Sequence, residues 1–172
     1  EKIREGGGAA SAIQCDVSCD EDVAKAFRHA EDTYGGVDLV FANAGVEGNA
    51  GTRAHELATA AELELVTRVN FMGTGLLALK HAVPALRKRG GGAIAFSSSM
   101  SSLLNSPSFA LLPQPLASSL IAYTASKAGL DAVVRAAAGT YTREGIRCYG
   151  LNIGIFDSEM MDRHGGVSDS VG

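Results

Sequence analysis

An α/β fold on a parallel sheet is what this sequence predicts, and three observations carry it. Short apolar runs closed by Gly, Asn or Ser alternate with longer stretches of helical periodicity. The helical stretches fall between the apolar runs, the order that parallel strands joined by right-handed crossovers require. The composition is globular: 46% hydrophobic and 20% charged residues over 172 positions, a length suited to one domain.

The elements follow in order. Residues 10–17 (ASAIQCDV) form an apolar run closed by a polar turn and read as a strand. Asp20, Glu21 and Asp22 open a helix, because acids in a first turn suit the macrodipole; Val23, Phe27 and Ala30 mark its apolar face and Gly35-Gly36 ends it. Residues 37–42 (VDLVFA) read as a buried strand, broken by Asn43-Ala44-Gly45. A long helix is expected over 62–89, with Leu63, Val66, Val69, Leu76, Leu77, Leu79 and Val83 on its stripe, Arg87, Lys88 and Arg89 in its last turn, and glycines 90–92 as the stop. Residues 93–96 (AIAF) give the next strand, running into Ser97-Ser98-Ser99; 122–142 is helical, and 145–152 (GIRCYGLN) is the last strand. The tail, 157–172, is polar, Gly-rich and unpatterned.

Composition also excludes several classes. Fifteen Lys+Arg against nineteen Asp+Glu give a net charge of −4, the wrong sign for a nucleic-acid binder. No apolar run reaches the ~18 residues of a membrane span, and no signal-peptide pattern opens the chain, so a cytoplasmic location is expected. Cys15 and Cys19 are spaced C-x3-C and Cys148 is far away, so reduced thiols are expected and neither a disulfide framework nor a zinc site. His29, His55, His81 and His164 show no paired spacing, and no metal site is expected.

Tyr123 and Lys127 carry the sharpest chemical pattern. Near the start of a helix they are i, i+4 neighbours on one face. A free phenol ionises near pH 10, and bringing it to about 7 takes roughly 4 kcal/mol, within reach of a partly buried ammonium plus a bound cationic ring. Such a pair is common on helices, so its context matters. Ser97-Ser98-Ser99 and Asn43-Ala44-Gly45 both follow strands, at the carboxyl edge where open α/β sheets hold their ligands. Asn70 interrupts an apolar helix, where a buried amide needs its hydrogen bonds satisfied.

In order along the chain, these motifs resemble those of the short-chain dehydrogenase/reductase family, from the first residues to about Met161. Asp16-Val17 looks like the family's adenine-holding pair. Asn43-Ala44-Gly45 looks like its Asn-Asn-Ala-Gly motif, with Ala42 in the first Asn position. Val69-Asn70 matches the segment of the catalytic Asn, and Gly92-Ala-Ile-Ala-Phe-Ser-Ser-Ser99 the strand leading to the catalytic Ser, with Ser99 in that role. Tyr123 and Lys127 match the Tyr-x-x-x-Lys pair. Asn152-x-Gly154 matches the turn at the nicotinamide, with Ile153 in place of Pro and Ser158 where the family usually has Thr.

The resemblance implies a Rossmann-like doubly wound parallel sheet, incomplete here: the family's first two strands, its Gly-rich dinucleotide loop and its last strand have no counterpart in the chain. It also implies hydride transfer between NAD or NADP and a small carbonyl or alcohol substrate. Tyr123 would move the proton, Ser99 hold the substrate oxygen, Lys127 bind the nicotinamide ribose and lower the Tyr123 pKa, and Asn70 place a water in the relay. Asp16, Val17, Asn43, Ala44, Gly45, Tyr123, Lys127, Gly154 and Ser158 would line the cofactor. A homodimer or homotetramer is implied, without membrane or nucleic acid. Gly73-Thr-Gly75 matches a dinucleotide fingerprint as text but sits inside a helix, and reads as helix-packing glycines.

Without the Gly-rich loop, the 172 residues are expected not to bind a dinucleotide in the normal way, and residues 10–17 to be poorly anchored beside a split sheet. Two other functions stay open: a non-catalytic homologue acting through subunit contacts, and a lyase or epimerase on the same scaffold. The whole of 1–172 is expected to be one partial domain, with 157–172 beginning a substrate loop. Residues 103–120, with Pro107, Pro113 and Pro115, make an insertion that is either surface decoration or an apolar flap.

Overall fold

A computed structural model describes residues 2–48, 54–103, 110–111 and 116–154. Helices α1 (Lys2–Glu5) and α2 (Asp20–Tyr34) precede strand β1 (Leu39–Ala42). A helical run follows as α3 (Ala60–Val66), a π-helical segment (Thr67–Leu77) and α4 (Ala78–Lys88). Strand β2 (Gly92–Ser99), a short helix α5 (Leu116–Ser119), the long helix α6 (Ile121–Tyr141) and strand β3 (Ile146–Ile153) complete the fold.

The strands form one parallel sheet in the order β1-β2-β3, with Ala42 beside Phe96 and Phe96 beside Gly150. Strand side chains alternate between faces. Val40, Ala42, Ile94, Phe96, Ile146 and Cys148 meet Phe27 of α2, Ala82, Val83 and Leu86 of α4, and Leu130 and Val134 of α6 in one apolar cluster. The opposite face carries Leu39, Phe41, Tyr149 and Leu151, which are 65%, 52%, 49% and 42% exposed. Among the described residues this is a parallel α/β layer covered on one side, as an incomplete doubly wound sheet would be.

Residues 10–17 are not a strand. Their exposure still alternates: Ile13, Cys15 and Val17 are half-buried while Ala12, Gln14 and Asp16 are exposed. The segment has the side-chain pattern of a strand without a partner, and a ladder cannot form on one strand alone. Instead it is tied down by side chains. Ser11 Oγ lies 2.8 Å from His29 Nε2 and accepts from the Tyr34 hydroxyl at 2.9 Å. The other strands are not split from one another. Within the expected insertion, residues 104–109 and 112–115 lie outside the described residues, as does the tail 157–172.

The helix predicted over 62–89 starts at Ala60, where Thr59 and Glu62 form a reciprocal capping box. At its far end Arg87, Lys88 and Arg89 do more than oppose the dipole. They pair with Glu144 before β3, Glu31 of α2 and Asp38 before β1, at 2.5, 2.8 and 2.9 Å.

Candidate active site

The carboxyl ends of the strands gather most of the residues of interest. β1 delivers Asn43, Ala44 and Gly45; β2 delivers Ser97 and Ser99; β3 leads to Asn152 and Gly154. The first turns of α6 bring Tyr123 and Lys127 to the same edge.

The Ser99 side chain neighbours the Tyr123 phenol and acts on it as a hydrogen-bonding group. Burial raises the Tyr123 phenol above its ordinary value, the Ser99 hydrogen bond opposes that rise, and the nearby Glu47 carboxylate adds to it. Lys127 is 3% exposed and its ammonium donates to the Ser97 carbonyl at 2.7 Å. The same ammonium lies 5.6 Å from the centre of the Tyr123 ring. Burial lowers the Lys127 pKa to about 8, against the opposing pull of Asp131 one helical turn away.

Asn70 is fully buried in the π-helical segment. Its Oδ1 accepts from the Val46 amide at 2.8 Å, and its Nδ2 donates to the Val46 carbonyl at 2.8 Å and to Ser126 Oγ at 3.0 Å. Both amide hydrogens are thereby committed to the protein, and Ser126 in turn donates to the Tyr123 carbonyl at 2.6 Å. Asn70 therefore joins the loop after β1 to the start of α6.

One turn on, Thr74 donates to the Ala44 carbonyl at 2.6 Å. Ser97 Oγ donates to Asn43 Oδ1 at 2.6 Å. A side chain at Gly45 would stand 3.4 Å from Lys127 Nζ and 3.6 Å from Asn70 Oδ1, so the loop passes directly over both. Gly73 lets the chain at Val17 approach: a Cβ there would lie 2.6 Å from the Val17 carbonyl oxygen. Gly75 packs against Leu130 of α6. These glycines serve helix packing and hold no phosphate loop.

Asp16 lies apart, beside an open groove lined also by Ser18, Ala61, Glu64, Leu65 and Arg68. The Ser18 amide and hydroxyl both donate to Asp16 Oδ1 at 2.9 Å, and hold its carboxyl below the usual range, the amide first. Val17 is half-buried and Gly154 exposed, while Ser158 lies outside the described residues. So Asn43, Ala44, Gly45, Asn70, Ser99, Tyr123 and Lys127 share one hydrogen-bonded region, with Asp16 and Val17 reaching it through Gly73. Sequence reasoning missed Thr74, Ser126, Ser102 and Asp131. Thr74 had a readable signal, a second polar residue at i+4 from Asn70 on an apolar helix; the others had none.

The sequence profile of the short chain dehydrogenases matches residues 1–165. The uncharacterized oxidoreductase YxbG of Bacillus subtilis (strain 168) is 30% identical over 170 residues, covering 98% of this chain and 56% of that protein. Momilactone A synthase of Oryza sativa subsp. japonica is 35% identical over 142 residues, 83% of this chain and 47% of that protein. A solved short-chain type dehydrogenase/reductase from Mycobacterium marinum superposes with a TM-score of 0.81 at 25% identity, over 94% of this chain and 59% of that one. The chain belongs to the short-chain dehydrogenase/reductase family, a family of oxidoreductases. It spans about half the length of the curated relatives it matches.

Proposed function

We propose that the chain carries the catalytic half of an NAD(P)-dependent oxidoreductase that interconverts a small carbonyl compound and its alcohol. The observation that carries this reading is the Tyr123 phenol beside the Ser99 side chain, with the buried Lys127 ammonium 5.6 Å from the ring. A phenol whose pKa stands above its ordinary value keeps its proton at neutral pH. It is set to donate that proton to a substrate oxygen as carbonyl becomes alcohol, with Ser99 holding the same oxygen. A bound nicotinamide would supply or take the hydride.

The residues present fit part of such a cofactor. Lys127 has three ammonium hydrogens and donates one to Ser97, leaving donors for ribose hydroxyls beneath Gly45. Asp16 Oδ1 is taken by Ser18, while Oδ2 carries no side-chain or backbone donor among the described contacts and stays available to an adenine amine. No Gly-rich turn between a strand and a helix is found among the described residues to cradle the pyrophosphate. This chain alone is therefore expected to bind NADH or NADPH more weakly than micromolar, and calorimetric titration measures it.

Self-association through the 60–88 run and α6 also belongs to this reading. Leu65, Met72 and Leu76 are exposed on the first, and Ala125, Ala128, Ala132, Ala136 and Gly139 form an exposed small-residue face on the second. Gel filtration is expected to show a dimer or tetramer. No described helix is long and apolar enough to cross a membrane. A cytoplasmic enzyme fits the charge and the unpaired cysteines.

The deciding experiment is Tyr123→Phe in a cofactor-competent form of the protein. Turnover should fall at least ~100-fold with cofactor affinity kept, as expected when a general acid is removed. A variant as active as the parent would end this reading.

A further inference from the structure

Around the Ser99 carbonyl lies a second polar cluster that the proposed chemistry does not use. Ser102 Oγ stands 2.7 Å from the Ser99 carbonyl and 2.6 Å from Asp131 Oδ2. Asn152 Nδ2 donates toward the Ser99 carbonyl at 3.3 Å, Ser102 Oγ at 3.1 Å and Asp131 Oδ2 at 3.3 Å. Three elements meet there: the turn after β2, the end of β3, and α6. Asp131 is the one charged member, and it follows Tyr123 and Lys127 at i+8 and i+4 on a single helix face.

The arithmetic of hydrogens makes Asp131 the keystone. Ser102 has one hydroxyl proton and Asn152 two amide protons, shared among the Ser99 carbonyl, Ser102 Oγ and the Asp131 carboxylate. A carboxylate accepts from both donors at once, and charged acceptors bind hydroxyls more strongly than neutral ones. Without it, Ser102 and Asn152 keep each other and the Ser99 carbonyl, but the turn after β2 and the end of β3 lose their shared bond to the helix that carries Tyr123.

We propose that Asp131 is a positioning residue, which locks Ser102 and Asn152 behind Ser99 and so fixes the end of β2 against the helix bearing Tyr123 and Lys127. This rests on the reading of Tyr123 and Ser99 as the proton-moving pair, and its test does not require turnover.

The test is the ultraviolet titration of the Tyr123 phenol, read as the difference between each variant and the same variant carrying Tyr123→Phe. Among the described residues, the charged groups near that phenol are Glu47 on the loop after β1 and the Lys127 ammonium, which Asp131 influences in turn. Because the Ser99 hydrogen bond lowers the Tyr123 pKa, loosening Ser99 must raise the midpoint further. Asp131→Ala and Ser102→Ala are each expected to raise it, and the two together no more than Asp131→Ala alone, since both cut one network. Asp131→Asn keeps an acceptor oxygen and should restore most of the parent behaviour. In a cofactor-competent form, Asp131→Ala should lose about tenfold to a hundredfold in kcat with little change in KM, the size expected when a reacting group is misplaced. A midpoint unmoved in both folded Ser102→Ala and folded Asp131→Asn,Ser102→Ala overturns the proposal, and so does a rise that is additive. Should Asp131→Ala fail to fold, those two variants decide. Full activity in Tyr123→Phe would sink the functional reading and leave the titration result standing, so the two failures are distinguishable.

Discussion

Lys127 is the residue whose placement costs most. An ammonium at 3% exposure has lost nearly all its hydration and gained one carbonyl at 2.7 Å. Its pKa of about 8 in the fold lies below its value in the unfolded chain. Between those two values the unfolded chain binds more protons, so stability rises with pH across that window and is lost as pH falls through about 8. The full difference is of the order of 3 kcal/mol. Urea unfolding at pH 7.5 and at pH 9.5 should show a higher stability at the higher pH. In Lys127→Met that gain should be absent, and an equal gain in the variant would refute the assignment. Tyr123 acts in the opposite sense: its raised pKa means stability is lost as pH climbs beyond about 10, where the unfolded phenol ionises first. The i, i+4 spacing made this pair legible in the sequence. The tie from Ser102 to Asp131 was not, because it joins residues 29 positions apart through a turn whose path nothing local dictates.

The 60–88 run is the element that organises the site. Its π-helical segment places Asn70 and Thr74 so that they hold Ala44 and Val46 through three hydrogen bonds. π-Helical turns are uncommon and favour functional sites. The same segment presents Gly73 to Val17, so one stretch positions the loops after β1 and before α2 together. Two substitutions test this. Thr74→Val strands the Ala44 carbonyl and should cost about 1–3 kcal/mol. Gly73→Ala drives a methyl to 2.6 Å from the Val17 oxygen, and the turn at Asp16 must move, at a cost of about 1–3 kcal/mol. Thermal unfolding measures both, and a Gly73→Ala chain as stable as the parent would show that this contact is not tight in solution. The helix itself was legible from its apolar stripe and its basic last turn. Its start was missed by two residues, although Thr59-x-x-Glu62 is a readable capping signature. The change to π-helical winding had no such sign in the sequence.

At the scale of the whole molecule, the segment 10–17 and the uncovered sheet face share one cause. Strand propensity is a fit to a pleated, half-buried surface and needs neighbours to express it. Among the described residues, 10–17 have the alternation and find no ladder, while β1 and β3 have the ladder and find helices on one side only. Parallel sheets ordinarily have both faces covered. Here Phe41 and Tyr149 flank Ala95 in one row across the sheet, with Leu39 and Leu151 on the same face, all four large side chains more than 40% exposed. A contiguous apolar patch of that kind recruits dye and self-associates. The 172-residue chain should therefore bind an anilinonaphthalene sulfonate probe in its folded state, and scatter light increasingly with concentration. Phe41→Thr with Tyr149→Thr should cut the dye signal by more than half. Because those side chains bury little in this fold, the thermal midpoint should hardly shift, in line with substitutions away from packed positions. A melting point lowered as for a core substitution would mean that the face is covered in solution. An unchanged dye signal in a folded variant would place the binding patch elsewhere, with the exposed leucines and methionine of the 60–88 run the next surface to alter.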